Sequence, residues 1–224
     1  MKQKDQRRCV IVGGAPIIDY QNLIPYLRED DYLVFCDCGL KHLQRLQEAK
    51  GSALVPDLIV GDFDSYQNPE LDGIETIVLP VVKDETDTAF AASEGLRRGF
   101  KDFLIIGAIG GRMDHSLVNI SLLYKLYQAG CQAVLIDDYS EMCIVGKNPV
   151  RVEDSYPFFS LLNMFGPSRG ITITGAKYNV SGAEIKAAEQ YATSNEVTPG
   201  QTACITVDEG ELLLIKILRE QFDL

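Results

Sequence analysis

Short apolar runs alternate with segments of helical periodicity through the first two-thirds of the chain. The apolar runs are rich in Val, Ile and Leu, and they predict strands over residues 8–12, 31–36, 58–61, 75–79, 102–106, 132–136 and 141–145. Between them, residues 86–98 and 116–129 have the spacing of helices, and a glycine follows each. Continuously apolar strands that alternate with helices are typical of a mostly parallel sheet covered on both faces, so we expect an α/β domain here.

The pattern changes near residues 146–149, which read Gly-Lys-Asn-Pro. Beyond them, the sequence predicts strands over residues 156–165, 170–175, 201–208 and 211–217, with the last two joined as a hairpin. Short strands with little helix favour a small β-sandwich or barrel. The predicted organisation is therefore an α/β domain over residues 1–147, followed by a smaller all-β sandwich domain over residues 148–224.

Composition supports a soluble globular protein, because 46% of the 224 residues are hydrophobic and 24% are charged. The six cysteines form no C-x-x-C pair and no cluster with zinc spacing, which favours reduced thiols in a cytoplasmic protein. Apolar runs are too short for a signal-peptide core or a membrane span. We therefore expect no membrane partner.

The net charge of −11 is concentrated in one segment, since residues 57–87 hold nine acidic residues and one lysine. A protein this acidic lacks the basic face that general nucleic-acid binding requires. The acidic segment itself has two interpretations: a solvated surface, which most charge runs are, or a site that binds cations.

Paired carboxylates in this segment come at predicted strand and helix ends. Asp62 and Asp64 follow the third strand at positions i and i+2, so both can face one Mg²⁺ ion, although a strand-ending turn explains them equally well. Asp84 and Asp87 open the first predicted helix, where helix capping is the alternative. Two such pairs at neighbouring strand ends favour a cation site, with Lys83 as a counter-charge that faces phosphate.

Glycines follow two of the predicted strands. Gly110 and Gly111 precede Arg112 between the fifth strand and a helix, where close backbone approach, free N–H groups and a bidentate guanidinium suit a phosphate. Gly13 and Gly14 follow the first strand and are a weaker signal of the same kind, for which a plain tight turn is the alternative. No G-x-x-x-x-G-K-[ST] loop occurs, so this is not a P-loop enzyme.

In this order and spacing, the motifs resemble those of thiamine pyrophosphokinases. The resemblance rests on Gly-Asp-Phe-Asp-Ser at 61–65, Asp-x-Thr-Asp at 84–87, Gly-Gly-Arg-x-Asp-His at 110–115 with Asn119, Gly-Ala-Lys-Tyr-Asn-Val at 175–180 and Thr-Ser-Asn-Glu at 193–196. It implies an enzyme that transfers the pyrophosphoryl group of ATP to the hydroxyl of thiamine, releasing AMP. It further implies Mg²⁺ and a homodimer that holds thiamine near the subunit interface.

Matching positions also imply roles for individual residues. The Mg²⁺ ligands would be Asp62, Asp64 and Asp87. The catalytic group would comprise Asp62, Asp64, Asp84, Asp87, Arg112 and Asp114. ATP contacts would come from Gly13, Gly14, Asp37, Lys83, Thr86, Gly110, Gly111 and Arg112, and thiamine contacts from Ser194 and Asn195. Either Asp87 or Asp114 would accept the proton of the thiamine hydroxyl.

The chain departs from the family pattern at two places. Residues 37–40 read Asp-Cys-Gly-Leu where the family usually has Asp-Gly-Gly-Ala, and the chain has no Trp to stack on thiamine, which leaves Tyr178 or Tyr191 as candidates. Two other functions compete with the kinase. One is a Mg²⁺-dependent phosphatase or sugar-nucleotide transferase built on the D-x-D pair, and the other is a noncatalytic module that senses nucleotide or thiamine.

Overall fold

The structure is a computed structural model that describes residues 7–63, 73–82 and 85–219. The chain separates into two compact units, which divide between Asp138 and Tyr139. Each unit is built around its own set of paired strands.

The first unit contains a parallel sheet. Its described strands are β1 (Cys9–Val12), β2 (Tyr32–Cys36), β3 (Leu58–Gly61), β4 (Glu75–Val78), β5 (Asp102–Ile106) and β6 (Gln132–Ile136). They pair in the order β4-β3-β2-β1-β5-β6, and every pairing is parallel. The chain therefore builds outward from β1 to one side as far as β4, and then returns to the other side of β1 to place β5 and β6.

Helices connect these parallel strands. They are α1 (Leu43–Lys50), α2 (Asp87–Arg98) and α3 (Met113–Gln128), with 3₁₀ helices over Gln21–Tyr26 and Asp37–His42. The Thr86 side chain accepts a hydrogen bond from the Ala89 N–H and so caps α2. Helix α3 begins three residues before the predicted start at residue 116, so the Asp-His pair of the third motif lies in its first turn.

Burial explains why this part of the chain forms a covered sheet. Every residue of β1, β2 and β3 is buried, and successive residues of a strand point to opposite faces. Both faces of the central strands are therefore covered, as the continuous apolar runs predicted. The prediction of an α/β fold with a mostly parallel sheet is confirmed.

The second unit consists of antiparallel strands. They are β7 (Ser140–Val145), β8 (Val150–Glu153), β9 (Phe158–Leu162), β10 (Ser168–Thr174), β11 (Val180–Ile185), β12 (Thr202–Thr206) and β13 (Leu212–Ile217). Strand β13 pairs with β7 and β9, while a second sheet has the order β11-β10-β12-β8. Buried side chains from both sets, among them Leu161, Leu214, Ile173 and Ile205, form one core, which confirms the β-sandwich.

The predicted hairpin of the last two strands was wrong. Strand β12 pairs with β10 and β8, whereas β13 pairs with β7 and β9, so the turn between them crosses from one sheet to the other. The N–H groups of Asp208 and Glu209 in that turn bond to the Arg169 carbonyl of the neighbouring chain segment. Alternating apolar residues mark the core-facing side of a strand but do not distinguish a hairpin from such a crossing.

Strand β7 pairs with β13, which assigns residues 140–145 to the second unit, although the sequence pattern changes only at residues 146–149. No disulfide joins any of the six cysteines. Within the described ranges, no helix is long and apolar enough to cross a membrane.

Candidate active site

A cavity of about 580 Å³ opens in the first unit, where several strands end and two helices begin. Its walls come from the segments after β1, β2, β3 and β5 and from the N-terminal turns of α2 and α3. Eight residues of the predicted site line it: Gly14, Asp37, Asp62, Thr86, Asp87, Gly110, Gly111 and Arg112. Residues that are far apart in sequence are thus brought together at one edge of the sheet.

Sheet topology explains the position of this cavity. Strand β1 lies between β2 and β5, and the connections from β1 and β5 leave on opposite sides of the sheet order. Such a topological switch point opens a crevice outside the carboxyl ends of the strands, where open α/β sheets bind their ligands. The two glycine loops follow these two strands, so they reach the crevice together.

The two glycine loops are in direct backbone contact. Ala15 donates its N–H to the Gly107 carbonyl at 2.8 Å, and Gly13 donates to the Ile106 carbonyl at 2.9 Å. A Cβ atom on Gly13 would lie 2.5 Å from the Gly107 carbonyl oxygen, and one on Gly107 would lie 2.6 Å from the Gly13 oxygen. Neither position has room for a side chain, so Gly13 supports the loop while Gly14 lines the cavity.

Three carboxylates and two cationic groups line the cavity. Asp37 follows β2, Asp62 follows β3 and Asp87 lies in the first turn of α2, while Lys41 and Arg112 carry the positive charges. The N-termini of α2 and α3 add partial positive charge from their backbone N–H groups. The cavity therefore combines donors that suit phosphate oxygens with an excess of carboxylates that would repel them unless a cation lies between.

The donor chemistry of the cavity fits a hard cation. Asp62 and Asp87 present carboxylate oxygens at the same cavity, and oxygen is the ligand atom that Mg²⁺ takes. Within the described residues no group of three or more His, Cys, Asp or Glu side chains is close enough to hold a metal by itself. A cation bound here would therefore need further ligands, either from a bound phosphate or from residues outside the described ranges.

Arg112 and Asp114 are held by each other at the entrance to α3. The guanidinium donates to both carboxylate oxygens, Nε at 3.1 Å and Nη2 at 2.5 Å. This partner lowers the pKa of Asp114 to about 2, although both side chains are largely exposed. Arg112 also lines the cavity, so its guanidinium is available to an anion bound there.

The remaining predicted residues fall into two groups. Asp64, Lys83 and Asp84 lie outside the described residues. Ser194 and Asn195 belong to the second unit. Ser194 is exposed with a left-handed backbone (φ 52°), and its N–H bonds to the Ser160 hydroxyl.

Asn195 is buried, and its carboxamide holds a neighbouring segment of backbone. Its Oδ1 accepts from the Tyr178 and Glu196 N–H groups, and its Nδ2 donates to the Tyr178 carbonyl at 2.9 Å. The ring of Tyr178 remains 59% exposed above this fixed backbone, with the Lys177 ammonium 5.5 Å from the ring centre. Asn195 therefore orders the segment that presents Tyr178 and Ser194.

Sequence reasoning missed Lys41 as a cavity residue. Its Nζ donates to the Gly14 carbonyl at 2.5 Å, which places a cation beside the first glycine loop. The signal that could have found it is its place four residues after Asp37, directly after the segment at 37–40 that departs from the family pattern. In that segment the Cys38 thiol donates to Asp37, and burial raises the pKa of Cys38 to about 11, so this thiol stays protonated at neutral pH.

Comparison with known families divides the chain in the same way. Residues 23–135 match the model of the thiamin pyrophosphokinase catalytic domain, and residues 148–212 match the model of the thiamin pyrophosphokinase vitamin B1 binding domain. Thiamine pyrophosphokinase of Bacillus subtilis is 28% identical over 217 residues, which cover 92% of this chain and 96% of that protein. Thiamine pyrophosphokinase 1 of rice is 28% identical over 179 residues, 72% of this chain and 66% of that longer protein.

Solved structures agree with the sequence matches. The crystal structure of the Bacillus subtilis thiamine pyrophosphokinase superposes with a TM-score of 0.81 at 25% identity, covering 96% of this chain and all of that one. The yeast thiamin pyrophosphokinase has a TM-score of 0.76 at 16% identity, covering 96% of this chain and 88% of that one, and so shares the fold. With both family models matched in order and the site assembled at the switch point, the chain belongs to the thiamin pyrophosphokinase family.

Proposed function

We propose that this protein transfers the pyrophosphoryl group of ATP to the hydroxyl of thiamine, giving thiamine diphosphate and AMP. The observation that carries the proposal is the cavity at the switch point, where two glycine loops, two helix N-termini and the carboxylates Asp62 and Asp87 meet. Most of the residues that line this cavity lie in the part of the chain that matches the thiamin pyrophosphokinase catalytic domain. The phosphatase and transferase alternatives account for the D-x-D pair alone and leave the glycine loops without a role.

The cavity has the groups needed to hold the triphosphate of ATP. Backbone N–H groups at the starts of α2 and α3 offer donors to phosphate oxygens, and the glycine loops allow the chain to approach them closely. Arg112 supplies a bidentate donor and Lys41 a point charge. We assign Gly14, Thr86, Gly110 and Gly111 to the same contacts, while Lys83 and Asp84 stay predictions from the motif.

We propose that Asp62 and Asp87, together with Asp64, hold Mg²⁺ at this cavity. Mg²⁺ bound there would neutralise phosphate oxygens and so reduce the repulsion between the triphosphate and the carboxylates. The carboxylates of Asp62 and Asp87 would hold the cation, and through it they would position the phosphates. A cation between the carboxylates and the phosphates explains how a cavity with more acidic than basic groups accepts a polyanion.

The transfer itself requires positioning more than covalent help from the protein. The thiamine hydroxyl oxygen forms a bond to the β-phosphorus of ATP, the bond from that phosphorus to the α,β-bridging oxygen breaks, and AMP leaves with the electron pair. The hydroxyl proton passes to a carboxylate, for which Asp87 and Asp114 remain the two candidates. Arg112 stays close to Asp114 and stabilises negative charge that develops on the phosphates.

We assign thiamine recognition to the second unit. The match to a vitamin B1 binding domain supports this assignment, and the exposed Ser194 and Tyr178 on backbone ordered by Asn195 are the groups available there. Tyr178 offers an aromatic face to the cationic thiazolium ring, as the missing Trp would. A homodimer with thiamine near its interface and a cytoplasmic location are further predictions that the family resemblance and the six cysteines without disulfides support.

The test is incubation of the purified chain with ATP, Mg²⁺ and thiamine while AMP and thiamine diphosphate are measured. We expect both products to appear together and to depend on thiamine. A phosphatase would release inorganic phosphate without thiamine, and a sensing module would bind its ligands without forming AMP. No AMP above the thiamine-free control would overturn the proposed activity.

A further inference from the structure

A buried histidine holds the first glycine loop from outside the cavity. His42 ends the 3₁₀ helix Asp37–His42, is only 2% exposed, and does not line the cavity itself. Its Nε2 lies 2.9 Å from the Ala15 carbonyl oxygen, and its Nδ1 lies 2.6 Å from the Tyr20 hydroxyl. The ring thus connects two parts of the segment that follows β1.

Chemistry fixes the protonation state of this ring. A carbonyl oxygen only accepts hydrogen bonds, so the proton must be on Nε2, and Nδ1 must accept from the Tyr20 hydroxyl. Burial lowers the pKa of His42 to about 4, with the nearby Lys41 ammonium acting in the same direction. The ring is therefore neutral at neutral pH, and Tyr20 selects the tautomer that donates to Ala15.

Ala15 is held on both sides as a result. Its N–H donates to Gly107 in the second glycine loop, and its carbonyl accepts from His42. Next to it, the Gly14 carbonyl accepts from Lys41. Gly14 and Ala15 line the cavity, and two neighbouring side chains hold their carbonyl groups: Lys41, which also lines the cavity, and His42, which does not.

We propose that His42 is a positioning residue for the nucleotide: through Ala15 it fixes the peptide groups of the first glycine loop against the phosphates of ATP, and Tyr20 sets its tautomer. This proposal rests on the proposed function for the identity of the ligand. The loop lines the cavity to which the proposed function assigns ATP. Loss of the His42 bonds should therefore weaken nucleotide binding and leave thiamine recognition unchanged.

The experiment compares three variants with wild type. His42→Leu removes both hydrogen bonds, His42→Gln keeps a donor at about the reach of Nε2, and Tyr20→Phe removes only the hydroxyl. The readouts are the Kd for α,β-methylene-ATP with Mg²⁺, whose α,β bridge is not cleaved, and the KM values for ATP and thiamine. Gln47→Leu is the matched control, because it removes a similar bond, from Gln47 Nε2 to the Leu54 carbonyl, away from the cavity.

We expect His42→Leu to weaken binding of the analogue about tenfold, since the Ala15 carbonyl loses its donor, while the KM for thiamine stays within about twofold. His42→Gln should recover most of that loss, Tyr20→Phe should lose about threefold, and Gln47→Leu should bind the analogue as wild type does. Wild-type affinity in folded His42→Leu would overturn the proposal. An equal loss in Gln47→Leu would also overturn it, because the effect would then be general destabilisation.

Two further outcomes keep the proposal separate from the proposed function. If His42→Leu does not fold, Tyr20→Phe decides the question, and unchanged analogue binding in that variant counts against the proposal. If wild type binds the analogue but forms no AMP with thiamine, the proposed activity is wrong. The Kd values of wild type and the His42 variants for the analogue still test the role of His42. If wild type does not bind the analogue, the nucleotide assignment fails and the role of His42 fails with it.

Discussion

Among single residues, two carboxylates matter most for the proposed chemistry of the cavity. Asp62 and Asp87 come from different elements, the end of β3 and the first turn of α2, yet both line the same space. Like charges that share a site repel each other, so their convergence has an electrostatic cost. A bound cation with its polyphosphate gives the arrangement a physical reason.

We predict that Asp62→Asn or Asp87→Asn reduces turnover by about a hundredfold or more, because each substitution removes a charged group that we propose as a ligand of Mg²⁺. The fold should persist, since asparagine keeps the shape of the side chain and the cap of α2 comes from Thr86. Steady-state kinetics and thermal unfolding measure the two effects. Asp30→Asn, at an exposed position outside the cavity, is the matched control. Turnover within a few-fold of wild type in folded variants would contradict the metal assignment.

His42 also predicts how stability depends on pH. Its pKa in the folded protein is about 4, below its ordinary value of 6.5, so the unfolded chain binds a proton between these values while the folded chain does not. The contribution of neutral His42 to the free energy of unfolding is therefore complete above pH 6.5 and is lost as the pH falls toward 4. We expect a loss on the order of 3 kcal/mol between pH 6.5 and pH 4.

The measurement for that prediction is the free energy of unfolding by denaturant at several pH values between 4 and 7, for wild type and His42→Gln. The other acidic and basic groups are common to both proteins, so the difference between the two curves reports His42. Wild type should lose more stability than the variant as pH falls. Parallel curves would show that the ring does not stay neutral.

Site residues differed in how far the sequence could reveal them. Carboxylates and glycines at strand ends were identifiable because the chemistry is carried by the residue type and its place after an apolar run, as for Asp62 and Gly14. Lys41 and His42 were not, because each acts through a backbone carbonyl of a loop about 27 positions away. Contacts of this kind depend on how two segments pack, and no local pattern encodes them.

At the scale of elements, the contact between the two glycine loops builds the cavity. The loops follow neighbouring parallel strands, β1 and β5, and bond to each other through Ala15 and Gly107. Gly107 has φ +61° and no space for a Cβ atom, so two separate requirements select glycine there. Any side chain at this position would force the loops apart.

We predict that Gly107→Ala lowers the free energy of unfolding by about 2–4 kcal/mol, combining backbone strain with overpacking, and also abolishes nucleotide binding. Gly51→Ala is the control, because Gly51 has a similar φ of +70° but nothing within 4 Å of the added atom. That variant should lose only about 1–2 kcal/mol of stability, from backbone strain alone, and bind nucleotide normally. Equal losses in the two variants would contradict the importance of the loop contact. Denaturant unfolding and analogue binding measure both effects.

The elements themselves were predictable to different degrees. Strands β3, β5 and β6 have the predicted bounds, because runs that are buried on both faces stand out as continuous apolar segments. Helix α1 was not predicted, since Leu46 is its only buried residue and its periodicity is correspondingly weak. The pairing of β12 and β13 was wrong because strand alternation encodes burial, while the choice of partner depends on the whole sandwich.

The whole molecule consists of two units, to which we have assigned two different recognition tasks. The nucleotide cavity lies entirely in the first unit, and the Ser194 and Tyr178 region lies in the second. Each unit has its own buried core, so changes in one should leave the local structure of the other intact. The proposed reaction requires both substrates, and substitutions in the two units should therefore separate their binding.

We predict that Ser194→Ala and Tyr178→Leu raise the KM for thiamine several-fold and leave the Kd for α,β-methylene-ATP unchanged. The serine change removes a polar contact, and the tyrosine change removes an aromatic face for the thiazolium cation. Tyr191→Leu distinguishes the two candidate aromatics, because Tyr191 is also exposed but its hydroxyl bonds to the Glu184 carbonyl. A larger effect from Tyr191→Leu would assign the aromatic role to that residue. A loss of analogue binding in the Ser194 or Tyr178 variant would contradict the division of tasks.

Pyrophosphoryl transfer is tested most directly by following all phosphorus species by ³¹P NMR while the wild-type protein acts on ATP, Mg²⁺ and thiamine. Transfer of an intact pyrophosphoryl group predicts equimolar AMP and thiamine diphosphate, with neither ADP nor inorganic phosphate as an early product. Accumulation of ADP, thiamine-independent release of inorganic phosphate, or unchanged ATP would contradict it.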